Sequence, residues 1–230
     1  MIQTILATLI TIATYQTSKR LAQRFSRLPL HPLILTTTIM IILLSLFDIP
    51  VERYQAETSL LTKMIAPATI AFAIPVYKHF KTVKKHLSLL VISTLIGSLV
   101  AIISTFSLAL LFNLDNQLLI SLLPRSITTP FALEMAKQID GVPALAIVFV
   151  IITGLLGVLV SPTIFKLLKI DSPIARGMAL GMAAHAVGTT RALEYGEEAV
   201  TFSTLAMIFA GVITTIFGLT FLPWIITLVL

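Results

Sequence analysis

"GMAAHAVGTTRALEYGEE", residues 181–198, gathers a histidine, two threonines, an arginine and three glutamates inside a chain that is otherwise apolar. Hydrophobic residues make up 57% of the 230 and charged ones 11%, against roughly 25% charged in a soluble domain. Mean hydropathy is +1.02. Several apolar runs approach the ~20 residues needed to cross a bilayer, so the composition predicts an all-α polytopic membrane protein. A polar cluster in such a chain needs a reason. An ionisable group at bilayer depth costs about 2.5–3.5 kcal/mol on the insertion scale unless it is paired or faces a cavity.

Working outward, apolar runs lie near 2–17, 31–47, 59–77, 87–112, 118–133, 143–165, 176–190 and 201–230. The first has no basic head and no small-residue exit, so it reads as a spanning helix and not a cleaved signal. Lys19, Arg20, Arg24 and Arg27 fill the first gap, Lys78, Lys81, Lys84 and Lys85 the third, and Lys166, Lys169 and Arg176 the sixth. Residues 48–58 and 113–117 are acidic or neutral by comparison. Cytoplasmic loops carry the excess of Lys and Arg, which places the N-terminus outside and predicts four crossings up to Phe112. The rule then fails if 118–133 also crosses. It holds if 118–140 enters from outside and turns back, 143–165 crosses inward, 177–198 dips from inside, and 201–222 crosses last.

Both dipping segments carry interruptions. "LLPRSITTP" (122–130) has Pro124 and Pro130, and "HAVGTT" (185–190) has Gly188. Broken backbone at membrane depth is tolerated only where it is buried in protein or lines a cavity. A shift of 60 residues also lays Thr129, Ala132, Leu133 and Glu134 on Thr189, Ala192, Leu193 and Glu194. Each copy holds one hairpin and one crossing, so the copies are inverted. Inverted repeats with interrupted segments mark secondary transporters, whose site lies where the copies meet. The expected architecture is a scaffold over 1–112 and a transport domain over 113–230, with the tips at 125–130 and 185–191 converging.

Arg125, Ser126, Thr128, Thr129, His185, Gly188, Thr189, Thr190 and Arg191 are the candidate binding residues. Two arginines, one histidine and a set of hydroxyls suit a small anion, because an arginine grips a carboxylate through two parallel hydrogen bonds. Gly188 would let backbone approach the ligand. His185 is a candidate proton carrier, a plain donor or a satisfied core group. Two readings stay open for the arginines: they bind the anion, or they pair with Glu134 and Glu194 to close the hairpins. Glu134 and Glu194 are accessory candidates, as is Thr69 in "MIAPATIAFAIPVYKHF" (64–80), which otherwise reads as a proline-kinked crossing. His79, His86, Glu197 and Glu198 read as surface groups.

The chain has no cysteine, which excludes disulfides and thiolate chemistry. No phosphate loop, G-x-S-x-G or H-E-x-x-H motif is present, so no enzyme is expected. The net charge of +6 is explained by basic loops, and no nucleic-acid partner is expected.

Three stretches, "LLPRSITTPFALEMAKQIDGVPAL" (122–145), "PIARGMALGMAAHAVGTTRALEYGEEAVTFSTLAM" (173–207) and "ATIAFAIPVYKH" (68–79), closely resemble the LrgB/CidB family of bacterial membrane proteins. The likeness runs from about Leu28 onward and is densest over 118–211. The resemblance implies one of two activities. One is holin/antiholin-like modulation of murein hydrolases and autolysis, beside a small LrgA/CidA-type partner. The other is carriage of a small monocarboxylate of the pyruvate, glycolate, glycerate or lactate type, as relatives linked to pyruvate uptake and to plastidic glycolate/glycerate exchange suggest. The hairpin pattern favours carriage, by elevator-like alternating access in a homo-oligomer of the bacterial inner membrane, with a proton or sodium ion as possible coupling ion and no other cofactor.

Overall fold

The computed structural model describes residues 2–24, 32–64, 67, 70–71, 73–221 and 224. Among these the regular secondary structure is helical throughout, with no strand. The chain divides into two compact units, Met1–Ala71 and Phe72–Leu230.

In the first unit, α1 (Ile2–Arg24) packs on α2 (Pro32–Leu46), and the short helices α3 (Val51–Glu57) and α4 (Ser59–Lys63) follow. The hydroxyls of Thr11 and Tyr54 meet at 2.8 Å and tie α1 to α3. A bend of 118° separates α2 from α3, and the pair is apolar enough to count as one broken span. Although α1 has the length to cross, its many Thr and Gln residues leave it outside the set of helices apolar enough to do so.

The second unit begins with α5 (Ala73–Lys78) and α6 (Phe80–Lys85). Three helices here are long and apolar enough to span a membrane: α7 (Leu87–Leu111), α10 (Pro143–Leu167) and α12 (Glu197–Thr220). They fall on the apolar runs read near 87–112, 143–165 and 201–230. Half-buried α12 is the hub and packs against α11 (Pro173–Ala192), α7, α9 (Thr129–Gln138) and α5. His79 and His86 are half-buried and not free surface groups, which corrects the expectation for them. The edge of one of the rings, His86 or Phe202, meets the other at 6.1 Å, and His79 Nε2 lies 3.6 Å from Glu197 Oε2. Glu197 is exposed and also meets Lys78 at 3.4 Å.

Several helices end in one recurrent device. Asp48, Asn113, Asp140 and Lys169 each take positive φ just past a helix end. The next residue then donates back five positions, as Leu114 N–H does to the Ala109 carbonyl at 3.0 Å and Ile170 N–H to Phe165 at 2.8 Å. That is a Schellman ending, which satisfies carbonyls the helix leaves orphaned.

Between α7 and α12 the chain reverses twice. α8 (Asn116–Leu122) is capped by the Asp115 side chain, which accepts from Gln117 N–H at 3.0 Å. A tight 3-10 turn, Leu123–Ser126, follows, with Pro124 near its start. Ile127 and Thr128 are extended, and α9 then runs back. The return is closed by Val142 N–H, which donates to Ser121 Oγ at 2.8 Å.

The second reversal lies within α11. His185 has φ 51 and ψ −130, a conformation natural to glycine and strained for other residues. Eight residues of straight helix span about 12 Å, yet a Cβ on Gly188 would collide with the Leu180 carbonyl. The chain has therefore turned on itself. It continues through the 3-10 turn Leu193–Tyr195 to the level where α11 began. There the Tyr195 and Phe165 rings meet with one ring's edge against the other at 5.8 Å, and Arg176 lies over both faces, 5.0 Å from Tyr195 and 5.9 Å from Phe165. The break sits at His185, not at Gly188, whose role is the close approach of the two arms.

Candidate functional site

The two reversals meet. Arg125 lies in the first turn and is half-buried. Its Nε donates to Thr105 Oγ1 on α7 at 2.9 Å. It forms no ion pair among the described residues, so its terminal nitrogens have no carboxylate partner. His185, at the second reversal, is 4% exposed. Its ring lies beside the Ser126 backbone carbonyl and within range of the Arg125 charge. Its Nε2 has no hydrogen-bond partner among the described residues. Arg125 and Ser126 also line a cavity of about 540 Å³ between α7, α10 and the first arm of α11.

A guanidinium this buried, without an acid beside it, is costly unless an anion or water meets it. The turn therefore concentrates positive charge and donors at one end of an open, largely apolar cavity.

The other candidates are placed as follows. Thr128 and Thr129 are half-buried at the start of α9 and do not line the cavity. Gly188 lies against Leu180 and Ala184. Thr189 is fully buried; its hydroxyl donates to the His185 carbonyl at 3.1 Å and sits 2.9 Å from Ser203 Oγ. Thr190 is exposed and donates to the Val187 carbonyl at 2.7 Å. Arg191 pairs with Glu194 at 2.6 Å on the return arm, with its Nε buried and unpartnered. Of the two open readings for the arginines, pairing is present for Arg191 with Glu194; Arg125 and Glu134 form no ion pair among the described residues. Glu134 is exposed on α9, 3.8 Å from Lys137 and accepting from Gln138 at 3.0 Å. Thr69 lies outside the described residues.

Sequence reasoning missed Thr105 and Ser203. A signal for Thr105 existed: Thr94, Ser98 and Thr105 recur at helical spacing in an apolar run, and all three are buried.

Fold and site together define a multi-pass helical membrane protein with a polar centre where two chain reversals touch. The chain belongs to the LrgB-like family, which it matches over residues 11–226. The match starts within α1, ahead of Leu28 where the motif resemblance begins. The chain is 41% identical to the protein YwbG of Bacillus subtilis (strain 168) over 210 residues, covering 91% of this chain and 93% of YwbG. It is 38% identical to YxaC of the same organism, covering 93% of each. It is 29% identical to the holin-like protein CidB of Staphylococcus epidermidis over 215 residues, covering 94% of each. No solved structure matches.

Proposed function

We propose that this chain is a holin-like membrane protein that governs passage of solute across the inner membrane of a bacterium, and through that passage modulates murein hydrolases and autolysis. The observation that carries this reading is the end-to-end likeness to relatives named holin-like CidB, in a chain whose apolar helices suit a multi-pass membrane protein. The reading needs no catalytic step. A small LrgA/CidA-type membrane protein is the partner it implies, and assembly with further copies of the chain is part of it.

A second reading, carriage of a small monocarboxylate by alternating access, is favoured by one specific observation: Arg125 has no acid partner among the described residues and stands beside a cavity, where the two reversals touch. In this reading the segments around 118–140 and 177–198 are opposed re-entrant hairpins of an inverted repeat. The 60-residue shift supports it, since it lays the turn at Arg125 on the break at His185. It also lays Ser121, which accepts from Val142 N–H, on Gly181, whose missing side chain admits the Ser203 backbone. The segment beyond 112 would move against the helices before it, an elevator-like motion coupled to a proton or sodium ion.

Reconstitution separates the readings. Liposomes holding the purified chain are tested for release of neutral dyes of graded size and for uptake of labelled pyruvate, glycolate, glycerate and lactate. Dye release with no saturable uptake supports the holin-like reading. Saturable uptake that fails in Arg125→Gln, with dyes retained, supports carriage.

A further inference from the structure

We propose that the short helices α5 and α6 bind the headgroup of an anionic phospholipid, through Lys81, Lys84 and Lys85, with Tyr77 and Phe80 seated in the lipid interface beside it. The inference stands under either reading of the function.

The segment from Ala73 to Leu111 holds four lysines and no acid. The structure sorts the lysines by what they touch. Lys78 meets Glu197 at 3.4 Å. Lys81, Lys84 and Lys85 are exposed and form no ion pair among the described residues. Their helix is held from its other side by Val83, which is buried with Leu90, Met178 and Phe202. Residues four apart share a helix face, so Phe80 stands beside Lys84, and Lys81 beside Lys85. Two aromatic rings are also bare here: Tyr77 is 85% exposed and Phe80 60%. In water such exposure forfeits burial of the ring. At the border of a bilayer, aromatic rings beside lysines are favoured.

The level in the bilayer follows from α7. Its exposed apolar face begins at Leu87, two residues past Lys85, and continues through Leu89, Ile92 and Ile96. On a spanning helix that face meets hydrocarbon, so the lysines stand at its edge, where headgroups lie. A zwitterionic headgroup carries its own cation beside the phosphate. An anionic phospholipid brings a phosphate without one, and each lysine near such a surface is attracted to it. The opposite end of α7 and the chain after it, 112–123, have no basic residue. On α7 the attraction is therefore confined to one leaflet.

The test uses the purified full chain in nonionic detergent and follows binding of tail-labelled phosphatidylglycerol and phosphatidylcholine by fluorescence anisotropy. Phosphatidylglycerol is expected to bind at least about tenfold more tightly, and the preference should shrink as salt rises. The triple variant Lys81→Gln, Lys84→Gln, Lys85→Gln should weaken phosphatidylglycerol roughly 100-fold, about fivefold per lysine. The matching triple arginine variant should keep it. Lys166→Gln with Lys169→Gln removes two exposed lysines at the same end of the unit and should leave binding within about twofold. Tyr77→Ala with Phe80→Ala should weaken both lipids alike. Equal binding of the two lipids, or an unchanged glutamine triple, would overturn the proposal. So would an equal loss in the Lys166 and Lys169 variant, because net charge alone would then account for the preference. Glycerol 3-phosphate or polyglutamate that displaces the lipid at equal concentration would overturn it too, since the lysines would then serve a soluble anion.

Discussion

The side chain of Arg125 is oriented from another helix by Thr105. Arg125 Nε donates to Thr105 Oγ1 at 2.9 Å, and Thr105 donates to the Ala101 carbonyl at 2.6 Å. A hydroxyl has a single proton, and here it is committed to the carbonyl. The oxygen lone pairs are thereby left to receive the guanidinium. Thr105→Val removes that acceptor without changing side-chain size much. Loss of a hydrogen bond to a charged group is worth about 1.5–3 kcal/mol, so anion binding or uptake should fall at least tenfold, with Thr105→Ser restoring most of it. Calorimetry and the liposome assay check this, and a fully active valine variant would remove Thr105 from the site.

The second reversal depends on backbone contact at Gly188. A methyl group there would strike the Leu180 carbonyl, which cannot swing away as a side chain can. Overpacking of this kind costs about 1–3 kcal/mol. Gly188→Ala should lower the thermal unfolding midpoint in detergent by several degrees, and an unchanged midpoint would mean the two arms are not this close.

Thr189 and Ser203 share one buried hydrogen bond at 2.9 Å, linking α11 to α12. Thr189→Val and Ser203→Ala should each destabilise by about 1–2 kcal/mol, since each leaves a buried hydroxyl short of a partner. The double variant should cost less than the sum, because neither orphan then remains. Additive losses in chemical denaturation would show that the pair is not coupled.

Arg176 fastens the start of α11 to the end of its return arm. Its Nε donates to the Ile170 carbonyl at 2.6 Å, Nη2 to Asp171 at 2.8 Å, and its plane lies over Phe165 and Tyr195. Lysine keeps the charge and loses the fork and the stacking surface. Arg176→Lys should therefore be nearly as destabilising as Arg176→Ala, by about 1–2 kcal/mol. Limited proteolysis near Tyr195 gives the readout, and full protection in the lysine variant would contradict the stacking argument.

The cysteine-free chain makes topology easy to measure. Asn116 and Asp171 are exposed on either side of the first reversal and α10. Asn116→Cys should label with an impermeant maleimide on intact cells, and Asp171→Cys only after permeabilisation. Labelling of both from the same side would exclude the opposed-hairpin arrangement.

Much of this architecture was readable from the residues, and the failures share a cause. Pro124 and Pro130 mark the first reversal because their rings forbid continuous helix: Pro124 lies near the start of the turn, Pro130 near the start of α9, and the extended pair Ile127–Thr128 falls between them. Gly188 misled by three residues: glycine marks either unusual backbone or close packing, and sequence does not say which. Here the close packing belongs to Gly188 and the unusual backbone to His185. One of the two open readings pairs Arg125 with Glu134, by charge alone. Nine residues of turn and helix carry Glu134 to an exposed face, while the true partner, Thr105, is twenty positions upstream on another helix. Local pattern specifies where a chain turns; it does not specify which neutral side chain waits across the gap.

The left-handed corners at Asn113 and Lys169 bear on how the protein sits in its lipid. Each closes a rod of 25 residues, about 37 Å long, where the hydrocarbon layer is about 30 Å thick. A rod sealed by a hydrogen-bonded corner does not shorten by unwinding its last turn. The excess length is absorbed by leaning, or by the lipids stretching around it, so bilayer thickness acts on the angle of α7 and α10, and through α7 on the perch of Arg125.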